Sequence, residues 1–408
     1  MKYTEPQIYI ALPVLDEWET IEKFINVIRN QTYKKFKLYV CVNQPDIWWN
    51  IDEKKSVCER NVRTLNYLNS ISDIKIQIID KSTPENGWHG KQLGVGWARK
   101  ILMDAINDIA FENDIVISLD ADTTFETDYF KSIIQNFQQH QEIMAVSIPY
   151  YHKLTAIEAV DRAILRYEIY MRYYAINLWR IGSQFNFTAL GSAIAFPIWA
   201  YRKIGGISPM KSGEDFYFLQ KFCKTGRIIN WNPVKVYPAA RFSDRVFFGT
   251  GPAMIKGNSG DWESYPIYHY SLFDNVLHTY SQFEDLFDKD LELQINQFLN
   301  EQFKDSLWWY PLRKNFKTKE KFVKACNEKV DGLRVLQYLK AKQASINKTD
   351  EVCLYEFLDI YYPEVIIELN IDKIFKFNEL SIPELDNIRN RLMEIEAKYQ
   401  MLDYSKKI

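Results

Sequence analysis

Cysteine is scarce and poorly spaced for chemistry: Cys41, Cys58, Cys223, Cys326 and Cys353 are scattered through 408 residues with no CxxC pair. That odd, dispersed set excludes a zinc ribbon of ordinary ligand spacing and argues against a disulfide framework. Histidine is equally sparse, at five, and no HExxH or other close ligand pair occurs, which removes metalloprotease chemistry. There is no GxSxG, so an α/β-hydrolase has no candidate nucleophile. No sign of charge dominates: 51 Lys+Arg stand against 53 Asp+Glu, a net charge of −2. That balance gives no global reason to bind nucleic acid. Long hydrophobic runs are missing too. The nearest approach, Phe185 to Ala200, is broken by Asn186, Thr188, Ser192 and Pro197, so no transmembrane helix is expected. The opening MKYTEPQIYIALPVLDEWET meets acidic residues too early for a secretory leader. The expectation is a soluble, cytoplasmic chain, and 47% hydrophobic with 25% charged residues is the make-up of an ordinary folded protein.

What is present is an alternation of strand and helix. Gln7–Leu12, Lys37–Val42, Ile74–Ile79 and Ile115–Leu119 are short apolar runs rich in β-branched residues, and they read as buried strands. Between them, Thr20–Arg29, Glu53–Leu68 and Leu93–Ile109 carry apolar residues at helical spacing. This is the pattern of βαβ units in a mostly parallel sheet, an α/β fold. Ligands of such sheets bind beyond the carboxyl ends of the strands, so functional residues should follow Leu12, Val42, Ile79 and Leu119. A long helix is expected over Thr155–Ile181, with Tyr167, Tyr170, Tyr173, Tyr174 and Trp179 along it. Beyond about Tyr270 the chain turns helical and mixed in charge. The division expected is therefore residues 1–270 and a mainly α-helical extension over 271–408.

Four stretches could carry chemistry. Asp120-Ala121-Asp122 follows the apolar run IVISL, and residues i and i+2 leaving a strand project to one side. Such a pair suits a hard cation that takes its remaining ligands from water and phosphate; the blander reading is an acidic turn. Gly213-Glu214-Asp215 opens a helical pattern, where acidic residues suit the free N–H groups and dipole. A carboxylate fixed there can also serve as a general base. Arg241 and Arg245 flank a stretch leading to Gly249-Thr250-Gly251 and could clamp a diphosphate with their planar forks, or lie at the surface. Finally, Trp88 to Arg99 is rich in glycine and leads into a helix, but is neither a Walker loop nor a Rossmann fingerprint. A helix N-terminus with Lys91 nearby still suits an anion. His269 could complete a metal site once the chain folds, though a hydrogen-bonded histidine is the plainer reading.

Taken in order, these pieces resemble the inverting glycosyltransferases of family 2. The similar strings are IYIALPVLDEWETIEKFINVIRNQTY, GKQLGVGWARK, DIVISLDADTTFETDYF, GSAIAFPIWAYRKIGGI and GEDFYFLQKFCKTGRI, covering about residues 5 to 250. The resemblance implies a GT-A-like nucleotide-binding sandwich with a mostly parallel central sheet, to which the helical region is added. It implies an enzyme that transfers one sugar from a nucleotide-sugar, a UDP-sugar ahead of a GDP-sugar, to a glycan or lipid-linked acceptor, as in polysaccharide biosynthesis. By the same resemblance Asp122 would ligate Mn²⁺ or Mg²⁺, and Asp120 would contact the ribose or a metal-bound water. Pro13, Asp16, Glu17, Lys91 and Arg99 would lie about the nucleotide. Asp215 would be the general base with Glu214 beside it, and Arg245 would stabilise the leaving diphosphate. Where the family commonly has an acidic strand end, this chain reads Val42-Asn43-Gln44-Pro45-Asp46, which leaves Asn43 or Asp46 to meet the base, or implies a nucleotide other than the common uridine. The loop PVLDEW also departs from the family's frequent Asn-Glu. No QxxRW motif is present, which favours single addition over polymer synthesis. A non-catalytic scaffold that binds glycan or partner protein and a sugar nucleotidyltransferase are the competing readings. Peripheral contact with the inner face of a membrane is allowed by the tyrosine-rich helix and the basic run Arg313 to Lys324, with core packing and a solvated face as the plainer alternatives.

Overall fold

The structure is a computed structural model and describes residues 5–91, 93–245 and 249–406. Gln92 and Val246–Phe248, which belong to two of the stretches above, lie outside the described residues.

All four expected strands form. β1 (Ile8–Val14) is buried along its whole length, as befits a central strand covered on both faces. β2 (Phe36–Asn43) lies beside it in parallel, with Ile8 opposite Phe36 and Pro13 opposite Cys41. β3 (Ile76–Lys81) pairs in parallel with β2, and β4 (Ile115–Ser118) with the other side of β1. α1 (Trp18–Arg29), α2 (Asp52–Ser70) and α3 (Val95–Asn107) make the crossovers. In α1 the buried residues are Ile21, Phe24, Ile25 and Ile28, a single apolar face at helical spacing.

The second half of the sheet changes direction. β5 (Thr124–Phe125), α4 (Tyr129–Gln139), β6 (Ala145–Ser147) and α5 (Glu158–Arg180) come next, followed by β7 (Ile194–Pro197), α6 (Ile198–Lys203) and α7 (Glu214–Thr225). β8 (Ile228–Ile229), β9 (Val236–Tyr237) and α8 (Thr250–Asn258) complete this part. The seven-stranded sheet has the order β3-β2-β1-β4-β7-β6-β8. β7 runs antiparallel to both β4 and β6, and the remaining pairings are parallel. The fold is thus α/β with a mostly parallel central sheet, as expected. A separate two-stranded sheet pairs β5 with β9, Thr124 opposite Tyr237. That short pairing matters for the site, because it brings the chain after residue 237 to the turn after β4.

The chain divides into two compact units. One comprises Met1–Ile164, Phe187–Asp261 and Gln400–Ile408; the other comprises Leu165–Asn186 and Trp262–Tyr399. The single cut expected at 270 is therefore replaced by a division in which most of α5 belongs with the C-terminal helices. The apolar periodicity of 165–181 explains this: Leu165, Ile169, Tyr173 and Ile176 are all buried in the core of the second unit, with Trp308, Phe273, Phe322 and Phe357. Tyr173 is fully buried, and Tyr170 and Tyr174 pack against the same core. Much of the tyrosine-rich face is thus taken up by packing within the second unit. The basic run is also partly neutralised, with Arg313 paired to Asp290 at 2.7 Å and Lys319 to Asp288 at 2.8 Å. Among the described residues, no helix is long and apolar enough to cross a membrane. All five cysteines are buried.

Candidate active site

Two adjacent parallel strands, β1 and β4, end on the same edge of the sheet. Leu15, Asp16 and Glu17 follow the first; Leu119, Asp120, Ala121 and Asp122 follow the second. Asp16 adopts a left-handed conformation with φ 57°, which a short polar side chain tolerates better than most. It is held there by Arg60, whose Nε and Nη2 donate to the two carboxylate oxygens at 2.5 and 3.0 Å. Its own N–H donates to Asn61 Oδ1 at 2.9 Å. The turn directs the buried Glu17 back towards the DxD residues.

The β5–β9 pairing supplies the cations. Arg241 Nη2 lies 2.6 Å from Glu17 Oε1 and 2.5 Å from Asp122 Oδ2. Arg245 Nη1 donates to Glu17 Oε1 at 2.6 Å and to the carbonyls of Leu15 and Asp16 at 2.7 and 3.1 Å. Its Nε donates to Ser243 Oγ at 3.0 Å. Burial and the nearby Glu17 raise the Asp122 carboxyl to about 6, against the pull of Arg241. Arg241 Nε is buried without a hydrogen-bond partner, an unmet donor beside Glu17 and Asp122.

Arg99 joins this cluster to the acidic start of α7. It is 4% exposed. Its Nε donates to Glu214 Oε1 at 2.9 Å and its Nη2 to Asp120 Oδ1 at 2.7 Å. Its Nη1 donates to Ser118 Oγ at 2.8 Å and to the Gly191 carbonyl at 2.9 Å. Burial works against the charged guanidinium, but Asp120, Glu214 and Asp215 outweigh it and hold the arginine firmly protonated. Asp215, beside the buried Glu214, is half-buried and accepts from the Phe216 N–H at 2.8 Å. Burial and the Glu214 charge lift its carboxyl to about 7, opposed by Arg99. A carboxylate lifted to that range can take a proton at neutral pH.

The structure brings together Glu17, Asp120, Asp122, Glu214, Arg99, Arg241 and Arg245, with Asp215 next to Glu214 on the first turn of α7. Other expected residues have different employment. Arg99, expected near the phosphates, has four of its five N–H donors used within the protein. Asn43, proposed for base contact, is buried: its Nδ2 donates to the Val14 carbonyl at 2.9 Å, and its Oδ1 accepts from Trp88 Nε1 at 3.1 Å. Both ends of that amide are spent. Pro13 is a buried β1 residue, whereas Lys91 is exposed. The glycines that open α3 have a packing reason, since a Cβ on Gly96 would stand 2.2 Å from the Met210 carbonyl oxygen. His269 belongs to the second unit, where Nδ1 meets Ser271 Oγ at 2.6 Å and Nε2 faces Glu356 Oε2 at 2.8 Å. With both nitrogens engaged, the ring keeps no lone pair for a cation, and the metal reading of His269 is withdrawn. Among the described residues no group of three or more His, Cys, Asp or Glu could hold a metal ion by itself. Ser118 and Gly191 lie inside two of the similar strings but, like Arg60, are not singled out by the sequence, because each matters only through a partner distant in the chain.

Comparison with known proteins bears on this site. Residues 115–256 match the family described as glycosyl transferase family group 2. No curated protein matches. Among solved structures, similarity is found to the mannosyltransferase PcManGT from Pyrobaculum calidifontis in complex with GDP-Man and Mn²⁺, at 14% identity over 98% of this chain and 88% of that one, with a TM-score of 0.37. It is also found to S. aureus TarS 1–349 in complex with UDP-GlcNAc, at 11% identity over 97% and 92% of the two chains, TM-score 0.38. Glucosyl-3-phosphoglycerate synthase from Mycobacterium tuberculosis, in complex with Mn²⁺, UDP and glucosyl-3-phosphoglycerate, is similar at 14% identity over 62% and 80%, TM-score 0.34. At these scores the likeness bears on neither substrate nor mechanism. The family match is the informative one: over the stretch from β4 through the DxD turn and the acidic start of α7 to Arg241 and Arg245, the chain is similar to glycosyl transferase family group 2.

Proposed function

We propose that the chain is a metal-dependent, inverting glycosyltransferase of GT-A type that moves one sugar from a nucleotide-sugar to a glycan or lipid-linked acceptor. The observation that carries this reading is the convergence of a DxD turn, a carboxylate raised to about 7 and two arginines on the carboxyl edge of one sheet. In the reaction an acceptor oxygen forms a bond to C1 of the sugar as the bond from C1 to the diphosphate breaks. The acceptor's proton passes to Asp215, and the bonding electrons leave with the nucleoside diphosphate. Arg241 and Arg245 are suited to the charge that gathers there, since a guanidinium fork matches phosphate oxygens.

A divalent cation fits the donor set. Asp122 would hold it, with Asp120 alongside, and two carboxylates with phosphate and water are the usual complement for Mg²⁺ or Mn²⁺. Burial, followed by the charges of Glu17 and Asp120, raises Asp122 to about 6, and a bound cation would offset that penalty. When bound, the ion would neutralise charge on the departing diphosphate. A UDP-sugar is the first donor to try and a GDP-sugar the second. With the Asn43 amide internally bonded, that side chain cannot be the base reader without giving up those bonds.

Thermal unfolding with a panel of nucleoside diphosphates, each with Mn²⁺ and with EDTA, tests the proposal. A ligand at about 100 times its dissociation constant stabilises a fold by roughly 2.7 kcal/mol. A Mn²⁺-dependent shift with one nucleotide identifies the donor's base; no shift with any of them turns the reading towards a non-catalytic scaffold.

A further inference from the structure

One guanidinium connects the strand that leads to the DxD turn, the loop before β7 and the first turn of α7. Its three nitrogens make four hydrogen bonds, to Ser118, Gly191, Asp120 and Glu214. Ser118 is the last residue of β4, so the arginine is referenced to the rigid sheet. Asp120 follows two residues later on the donor side of the proposed reaction, and Glu214 precedes the proposed base, Asp215. Four of the five N–H donors of Arg99 are thus engaged within the protein. We propose that Arg99 is the positioning residue of the transfer site: it sets Asp120 and the Glu214-Asp215 turn at one spacing, and Gly191 is glycine in order to admit it.

The argument is geometric. A Cβ built on Gly191 would stand 2.1 Å from Arg99 Nη2 and 2.6 Å from its Cζ. A flexible side-chain end could ordinarily move aside, but this one is pinned by four bonds in a site 4% exposed. Lysine cannot replace it. Its ammonium is a single point of charge, whereas the planar fork reaches the strand, the loop and both acidic motifs at once. Transfer needs the acceptor oxygen, the base and C1 aligned together, and a misplacement of about 1 Å costs on the order of 100-fold in rate. Asp122 has its own partner in Arg241, so cation and nucleotide binding depend on Arg99 far less than turnover does.

This proposal rests on the glycosyltransferase reading above, and the experiment separates the two. The full chain is studied as wild type, Arg99→Lys, Arg99→Met and Gly191→Ala. Calorimetry measures Mn²⁺ with the nucleoside diphosphate selected in the thermal panel, and steady-state kinetics with the matching nucleotide-sugar gives kcat, KM and the pH profile. For Arg99→Lys and Gly191→Ala the expected result is a fall in kcat of about 100-fold, with nucleotide affinity changed by no more than about threefold. The acidic limb of the kcat profile stays in place in Arg99→Lys, which keeps the charge, and moves to higher pH in Arg99→Met, which loses it. Gly191→Ala keeps every charged group, and carries the test if the Arg99 variants do not fold. Near-normal kcat in the folded variants, with a loss of thermal stability alone, overturns the proposal. Failure of the wild type to bind any nucleoside diphosphate with Mn²⁺ overturns the site reading, and the positioning role with it.

Discussion

Arg241 Nη2 stands 2.5 Å from Asp122 Oδ2, so the second aspartate of the DxD turn already has a cationic partner. A divalent ion must share that carboxylate with the guanidinium or displace it. Mn²⁺ alone should therefore bind weakly, and Mn²⁺ with a nucleoside diphosphate much more tightly, because the diphosphate offers Arg241 another anion. Replacing Arg241 by Gln should tighten binding of Mn²⁺ alone by about tenfold and weaken the nucleotide complex by a similar factor. Electron paramagnetic resonance of free Mn²⁺ checks both arms.

Asp122→Ala removes the proposed direct ligand. The Mn²⁺-dependent part of the thermal shift with nucleoside diphosphate should vanish, while any EDTA-resistant part remains. Unchanged Mn²⁺-dependent binding in that variant would reject the DxD assignment.

Asp215→Asn should preserve donor binding within about twofold and lower transfer by roughly 10²–10⁴-fold, the usual worth of a positioned base. Glycosyl transfer measured at saturating donor, beside calorimetry of the nucleotide, distinguishes loss of chemistry from loss of binding.

The raised Asp215 carboxyl gives two opposite pH trends. Turnover should rise with pH through about 7 as the base loses its proton. Stability should move the other way. Between the ordinary aspartate value near 4 and about 7, the folded state holds a proton that the unfolded chain has released. Stability from this group is therefore fully present below the unfolded value and declines as pH rises through the window. Asp122, raised to about 6, acts in the same sense. Asp215→Asn should accordingly melt above the wild type at pH 8, with the gap closing towards pH 4. Melting temperatures across that range settle the sign.

Trp308 is fully buried in the second unit, against Phe283 and Phe303. Trp308→Ala should cost about 3–5 kcal/mol through lost burial and the cavity left behind. Urea unfolding followed by far-ultraviolet dichroism measures it.

Much of the first unit is legible along the chain, because strand and helix periodicities are local. Ile8–Val14, Ile115–Ser118 and the buried face of α1 follow from alternation and spacing within a few residues. The acidic pairs Asp120/Asp122 and Glu214/Asp215 are equally visible, since strand ends and helix starts are where such residues can act. What could not be read were the partners. Arg99 and Glu214 are 115 positions apart, and no local pattern distinguishes a buried clamp from a phosphate ligand. Asn43 looks available at a strand end until Trp88 and Val14 close on it. The tyrosines of α5 look like a platform until the C-terminal helices take them into their core.

Sequence alone determined the α/β character, the carboxyl edge at which chemistry is grouped, and the family resemblance, because each depends on residue type at short spacing. Tertiary structure alone decided that Arg241 meets Asp122, that Arg99 holds Asp120 and Glu214, that Gly191 must lack a side chain, and that His269 is spent on Glu356. The physical reason is the same in each case. A buried charge or donor takes whichever partner the closed chain puts within about 3 Å, and that choice is made only when segments a hundred residues apart are packed against one sheet.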